Sequence, residues 1–138
     1  MTTAVDSSVI LDVLTGTAGQ ESLDALRKAS REGRLIVCES VIAEMRPVFR
    51  ELSAFEQFME DWGLEFVPGS RESALLAGEM LKGLLERRRE RVGSILADFL
   101  IGAHAQVHAD RLLARDRGYL RDYFSDLTLW DPVSSPAP

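Results

Sequence analysis

The sequence predicts an α/β fold, a three-layer α/β/α sandwich with a central, mainly parallel sheet. Short apolar segments alternate with longer stretches of helical periodicity, and strands alternating with helices indicate βαβ units that bury a parallel sheet between helices. The chain has 138 residues with 46% apolar and 28% charged side chains, which suffices for one domain with a sizeable core and excludes a disordered or collagen-like chain.

Five short apolar or β-rich runs are predicted to form the strands, each bounded by turn or capping residues. In chain order they are Thr3–Val5, Leu35–Cys38, Leu64–Val67, Arg111–Ala114 and, most weakly, Leu127–Trp130. The single cysteine, Cys38, lies in one of these runs, which favours a buried small hydrophobe over a nucleophile.

Apolar residues between the strands repeat with helical spacing. Residues 41–62 are predicted to contain two helices, with Pro47 at the start of the second, because proline cannot donate the hydrogen bond of an interior helical position. The three clearest apolar stripes are Leu23, Leu26 and Ala29; Ala74, Ala77, Leu81, Leu84 and Leu85; and Ile95, Phe99 and Ala103.

We expect residues 1–133 to form one domain and residues 134–138 a disordered tail. The net charge of −6 argues against a broad basic surface for nucleic acid, but residues 1–70 carry 6 basic and 12 acidic groups whereas residues 71–138 carry 10 and 10. The second part is therefore the better candidate to face a polyanion. The sequence shows neither an apolar run of about 20 residues nor a signal peptide, so we expect a cytoplasmic protein with no membrane partner.

Four acidic residues occupy positions that can face one edge of the sheet. Asp6 and Asp116 directly follow predicted strands, whereas Glu44 and Asp98 lie four residues after Ser40 and Ser94, which we predict to be helix N-caps. Each acid also has a local explanation, as a helix cap, a solvated side chain, a partner of a helix N-terminus or a turn residue. Converging carboxylates repel one another, and a hard divalent cation bound through oxygen resolves that repulsion.

The segments that contain these acids resemble the PIN-domain family and, within it, the VapC-type ribonuclease toxins of type II toxin–antitoxin pairs. Each segment alone is weakly diagnostic, but their order and spacing extend across nearly the whole chain. The segments are residues 5–11 (VDSSVIL), 40–44 (SVIAE), 96–105 (LADFLIGAHA) and 112–119 (LLARDRGY).

The resemblance implies that Asp6, Glu44, Asp98 and Asp116 form an acidic metal site and that Ser7 supports it. We expect Asp6, Asp98 and Asp116 to be direct ligands of Mg²⁺ or Mn²⁺, and Glu44 to hold or deprotonate the water. The family often has a hydroxyl residue two positions before its last acid, where this chain has Ala114, and Asn where this chain has Ser8.

As for function, the resemblance implies a PIN-like α/β/α sandwich that hydrolyses RNA at this site, leaving 5′-phosphate and 3′-hydroxyl ends. It also implies a frequent homodimer and a cognate antitoxin that covers or disturbs the site. Because the chain carries a net negative charge, we then expect RNA to contact only a metal-loaded cleft that is flanked by arginines.

Two arginine clusters are candidates for contacts with the RNA backbone. The first contains Arg115, Arg117 and Arg121, which flank Asp116, and the second contains Arg87 and Arg88. The antitoxin is an alternative partner for either cluster, and a solvated helix end is an alternative explanation of the second.

His104 and His108 have the spacing of a zinc pair, but helical geometry turns both away from Asp98 and no third ligand is evident, which favours ordinary helix histidines. Competing functions are a catalytically silent PIN-like binding module and a solitary RNA-processing nuclease. A haloacid-dehalogenase-like phosphatase would need an acid where Ser8 stands, and a receiver domain would need paired acids near the first strand.

Overall fold

The computed structural model describes residues 1–16, 19–88 and 95–133, which form five strands and seven α-helices together with a short 3₁₀ turn. The elements in chain order are β1 (Thr2–Val5), α1 (Ser7–Thr15), α2 (Gly19–Glu32), β2 (Arg34–Val37), α3 (Glu39–Met45), the 3₁₀ turn (Arg46–Val48), α4 (Leu52–Trp62), β3 (Leu64–Phe66), α5 (Arg71–Arg88), α6 (Leu96–His108), β4 (Arg111–Leu113), α7 (Tyr119–Tyr123) and β5 (Leu129–Trp130).

The strands form one sheet in the order β3-β2-β1-β4-β5, and its four pairings are all parallel. Ala4 of the central strand lies opposite Ile36 on one side and Leu112 on the other. Helices flank this sheet, so the predicted α/β class with a parallel sheet is confirmed.

The direction in which successive strands are added to the sheet reverses between β1 and β4. The chain first adds β2 and β3 on one side of β1, and then adds β4 and β5 on the other side. Right-handed crossovers put α1 to α4 on one face and α5 to α7 on the other, in agreement with the packing of α1 on α2, of α5 on α6, and of α7 on both α5 and α6. In open parallel sheets, the crevice at such a reversal is where ligands bind. The acids that follow β1 and β4 therefore lie at the point where a site is expected.

The core is apolar on both faces of the sheet. Ala4, Val5, Ile36, Val37 and Leu112 are all at most 2% exposed, as expected for strands covered by helices on both sides. Cys38 is buried at the end of β2, as predicted, and burial raises the pKa of its thiol.

Three predictions of local detail are wrong. Pro47 lies in the separate 3₁₀ turn, and α4 begins only at Leu52, because Phe49 is extended between them. Helix α3 begins at Glu39, so Ser40 lies inside the helix instead of capping it. Ala74 is exposed, whereas Ser73 is buried and exchanges hydrogen bonds with Ser70 at the start of α5.

The other apolar stripes pack as the sequence predicts. Phe99 of α6 is fully buried and contacts the rings of Tyr119, Tyr123 and Phe124. The predicted cap Ser94 and the tail 134–138 lie outside the described residues. Within those residues, no helix combines the length and apolarity that crossing a bilayer requires.

Candidate active site

A pocket of about 480 Å³ opens at the carboxyl ends of β1, β4 and β5. Its lining brings together all four acids that the sequence singles out, along with two of the predicted arginines. The lining residues are Asp6, Ser7, Ser8, Leu11, Glu44, Asp98, Arg115, Asp116, Arg117, Asp131 and Val133.

Asp6 is buried, with 8% of its surface exposed. It follows β1 as the N-cap of α1, and its Oδ2 accepts hydrogen bonds from the backbone N–H and the hydroxyl of Ser8. Burial raises the pKa of Asp6 to about 6, against the lowering by the Ser8 hydrogen bonds and with further raising by the charges of Asp98 and Glu44. The neighbouring carboxylates therefore interact unfavourably, as the sequence argument expects.

Glu44 and Asp98 reach the pocket from two helices. Glu44 lies in α3, where its Oε1 accepts a hydrogen bond of 3.1 Å from the Ser7 hydroxyl. Asp98 lies in the first turn of α6, where its Oδ2 accepts a hydrogen bond of 2.5 Å from Arg117 Nη2. Ser7 thus contacts one of the acids, although that acid is Glu44 and not the adjacent Asp6.

Asp116 lines the pocket but also holds local structure. Its Oδ1 accepts hydrogen bonds from the backbone N–H groups of Gly118 and Leu120, and its Oδ2 accepts one from that of Arg121. The carboxylate therefore closes the turn after β4 and caps α7, which is the local explanation that the sequence left open for this residue. Oδ1 thus uses both of its lone pairs on the backbone, whereas Oδ2 keeps one for a ligand.

The predicted arginines separate into two groups. Arg115 and Arg117 line the pocket, and Arg121 Nε lies 3.9 Å from Asp116 Oδ2. Arg87 is outside the pocket lining and has its guanidinium 5.7 Å from the ring centroid of Tyr123. Arg88 ends α5, and its side chain is outside the described part of the chain.

Sequence reasoning missed two buried acids, Asp131 in the lining of the pocket and Asp12 outside that lining. Asp131 directly follows β5 and accepts a hydrogen bond of 3.1 Å from the backbone N–H of Asp116. Asp12 accepts hydrogen bonds from Ser22 Oγ at 2.7 Å and from Arg115 Nη1 at 2.8 Å. The signals were present, because Asp131 follows a strand as Asp6 does, and Asp12 interrupts an apolar helix as Asp98 does.

Comparison with known proteins identifies the family. Residues 3–124 match the PIN domain. This chain belongs to the PIN domain family. No curated protein sequence matches the chain.

Several solved structures have this PIN fold at low sequence identity. A chain of VapBC2 from Rickettsia felis, bound to a promoter DNA fragment, is 18% identical with a TM-score of 0.69, covering 94% of this chain and 98% of that one. A chain of VapBC-1 from nontypeable Haemophilus influenzae is 17% identical with a TM-score of 0.69, and the match covers 96% of this chain and 98% of that one. A chain of a toxin–antitoxin complex from Klebsiella pneumoniae is 16% identical with a TM-score of 0.66, and the match covers 94% of this chain and 97% of that one.

The PIN pocket has the donor chemistry of a divalent metal site. Among the described residues, no three His, Cys, Asp or Glu side chains stand close enough together to grip one ion directly. The acids instead surround a pocket wide enough for a partly hydrated ion, and Mg²⁺ retains several waters when it binds one or two carboxylates. The mutual repulsion that acts on Asp6 is the electrostatic condition that such a cation relieves. The residues that line the pocket therefore suit a divalent cation.

The two histidines of α6 have structural partners away from this pocket. His104 Nε2 lies 2.7 Å from the carbonyl oxygen of Val67, so this nitrogen is the donor, and His108 Nε2 lies 3.2 Å from Ser70 Oγ. Burial lowers the pKa of His104. These contacts agree with the interpretation as ordinary helix histidines.

Proposed function

We propose that this PIN domain is the toxin of a toxin–antitoxin pair, a VapC-type endoribonuclease that uses Mg²⁺ or Mn²⁺. The observation that carries the proposal is the convergence of Asp6, Glu44, Asp98 and Asp116 on one pocket at the sheet reversal. Its support from relatives is that VapBC and other toxin–antitoxin complexes contain chains of the same fold.

In this proposal Asp6, Asp98 and Asp116 hold a partly hydrated metal, directly or through its waters. A divalent ion held by these residues would supply acidification of a water and positive charge against the scissile phosphate. Asp6 is fixed by Ser8 and by its place as the cap of α1, and Asp116 by the backbone groups of α7. Both carboxylates are thus oriented before any ligand arrives, which lowers the entropic cost of binding.

Glu44 is suited to take the proton of the attacking water. It is exposed, and the Ser7 hydroxyl holds one of its oxygens, which leaves the other oxygen available. Water then forms a bond to phosphorus while the bond from phosphorus to the 3′ oxygen breaks. The 3′ oxygen leaves as a hydroxyl after gaining a proton from solvent water, and the phosphate remains on the 5′ side.

Arg115 and Arg117 at the pocket rim are suited to attract the RNA backbone. Their guanidinium groups pair well with phosphate, and the net charge of −6 on the whole chain favours a local cationic contact over a broad one. The RNA would therefore reach the pocket through the arginines and not along a broad basic face.

Cleavage of total cellular RNA by the purified chain tests the nuclease. We expect cleavage with Mn²⁺ or Mg²⁺ that leaves 5′-phosphate ends, its complete loss in EDTA, and at least a hundredfold loss in Asp98→Asn and in Asp6→Asn. Glu56→Gln removes an exposed carboxylate from α4 and should cleave as the wild type does. Full cleavage by either aspartate variant, or equal cleavage in EDTA, would overturn the metal-site assignment.

The toxin role requires a partner, and we propose a cognate antitoxin whose binding segment covers the same pocket. Co-expression with the product of a small neighbouring reading frame should yield a complex in which cleavage is suppressed. A chain that cleaves RNA but has no such neighbour would instead be a solitary processing nuclease. The homodimer stays a prediction, and the mass of the purified chain in solution tests it.

A further inference from the structure

Two arginines enter the pocket from the same loop after β4, but they have different partners. Arg115 Nη1 donates to Asp12 Oδ1 at 2.8 Å, and Asp12 is buried and also bound by Ser22. This pair holds Arg115 on a carboxylate outside the four-acid set. The guanidinium of Arg115 therefore neutralises a structural charge and leaves the four acids as they are.

Arg117 instead forms an ion pair with Asp98, which is one of the four predicted acids. Its Nη2 lies 2.5 Å from Asp98 Oδ2, with 69% of the Arg117 side chain exposed and 22% of that of Asp98. The hydrogen bond to Asp98 and its negative charge raise the pKa of Arg117, and the charge of Asp6 raises it further. The guanidinium thus occupies an oxygen that we assign to the metal, in a position open to solvent.

We propose that Arg117 is a displaceable counter-ion of Asp98, so that metal binding must break this ion pair and Arg117 lowers the metal affinity of the site. The proposal rests on the proposed function, because it takes Asp98 as a ligand. A divalent ion and a guanidinium at the same carboxylate compete for its oxygen and repel each other. Exposed ion pairs are weak, so displacement costs little and the competition is reversible.

The loop geometry is suited to this exchange. Arg117 lies between Asp116, whose carboxylate is fixed by three backbone N–H groups, and Gly118, whose N–H is one of those three and donates to Asp116 Oδ1 at 2.9 Å. The backbone on both sides is therefore held while the long, exposed side chain can turn. Once released from Asp98, the guanidinium stays at the rim, where it can pair with phosphate.

Isothermal titration of the full chain with Mn²⁺ alone, at constant ionic strength, tests the proposal without reference to activity. Arg117→Gln should bind Mn²⁺ about fivefold more tightly than the wild type, because the competing charge is gone. Arg117→Lys keeps the charge and should stay within about twofold of the wild type. Arg87→Gln makes the same change in net charge outside the pocket and should leave the affinity unchanged.

The outcomes separate this proposal from the proposed function. Equal Mn²⁺ affinity of the wild type, Arg117→Gln and Arg87→Gln would overturn the role of Arg117 and leave the metal site standing. Equal tightening in Arg87→Gln and Arg117→Gln would show a general charge effect and also overturn it. Failure of every protein to bind Mn²⁺ would overturn both, and circular dichroism of each variant confirms that it is folded.

Discussion

The two edges of the sheet both bury charge, but they balance it differently. At the amino edge, Arg111 begins β4 with 2% of its surface exposed, and Nε donates to Thr3 Oγ1 at 2.9 Å. Its guanidinium lies 4.7 Å from the ring centroid of Trp130, and Nη2 lies 3.5 Å from Glu32 Oε2. This cation has a hydroxyl, an aromatic face and a carboxylate within its own fold.

At the carboxyl edge, charges of the same sign converge instead. Asp6, Asp98 and Glu44 face one pocket, and the pKa of Asp6 rises to about 6 chiefly because it is buried. The comparison teaches that the amino edge balances its buried cation with groups of the chain itself, although Arg111 Nη2 has no hydrogen-bond partner among the described residues. At the carboxyl edge, we propose that a cation from outside supplies the balance. Removing a charged side chain should therefore lower the free energy of unfolding at the amino edge. At the carboxyl edge it should raise the free energy of unfolding and abolish the proposed activity.

The largest expected effect on stability comes from breaking the amino edge. Arg111→Met should lower the free energy of unfolding by about 3 kcal/mol, because the buried Thr3 hydroxyl loses its donor, the Trp130 ring loses its cation and the partly exposed Glu32 loses its ion pair. Arg34→Met is the control, since Arg34 forms an exposed pair with Glu65 and should cost less than about 1 kcal/mol. Urea unfolding measures both. A loss for Arg111→Met no larger than for Arg34→Met would contradict the assigned balance.

At the carboxyl edge, removing a charge should instead raise the free energy of unfolding. In EDTA at pH 8, Asp6→Asn should raise the free energy of unfolding by about 2 kcal/mol, because Asn still caps α1 but carries no charge. The exposed Glu56→Gln should change it by less than about 0.5 kcal/mol.

The gain from Asp6→Asn should depend on pH. The pKa of Asp6 is about 6 in the folded chain against 3.8 for the ordinary group, so between these values the folded state binds more protons than the unfolded state. The stability of the wild type therefore falls as pH rises through this window, and Asp6→Asn escapes the fall. The advantage of the variant should be full near pH 8 and absent near pH 4. An advantage that does not vary with pH would contradict the electrostatic cause.

Added metal should stabilise the wild type by a smaller amount. At a concentration ten times the dissociation constant, Mg²⁺ raises the free energy of unfolding by about 1.4 kcal/mol through mass action. Asp98→Asn should lose most of this gain, whereas Arg111→Met should keep it, because the amino edge is not part of the site. Equal stabilisation of the wild type and Asp98→Asn, seen as equal shifts of Tm, would argue against Asp98 as a ligand.

The sequence predicts the fold class and the edge of the sheet at which the candidate pocket lies, because both depend on periodic patterns. Apolar runs and helical stripes determine the sheet, and a parallel sheet brings the residues that follow its strands to one edge. Asp6 and Asp116 were found in this way. Asp131 follows the weakest strand, a two-residue β5, so the same rule had the least pattern to act on there.

What the sequence could not predict are the pairings within the pocket. Asp12 with Arg115 and Asp98 with Arg117 join residues 103 and 19 positions apart in the chain. Such pairs are set by how α1, α6 and the loop after β4 pack, and the spacing of residues carries no trace of them. Likewise, the hydrogen bonds that Asp116 accepts from α7 depend on the left-handed turn at Gly118.

The most direct test of the account is a crystal of the full chain soaked in Mn²⁺ and measured at a wavelength where manganese scatters anomalously. We expect one or two strong peaks in the pocket, in contact with the carboxylates of Asp6 and Asp98, with Arg117 turned away from Asp98. The same crystal form of Asp98→Asn should lose these peaks. Manganese bound only elsewhere on the chain, or an Arg117–Asp98 pair that remains intact beside an empty pocket, would contradict the central claim.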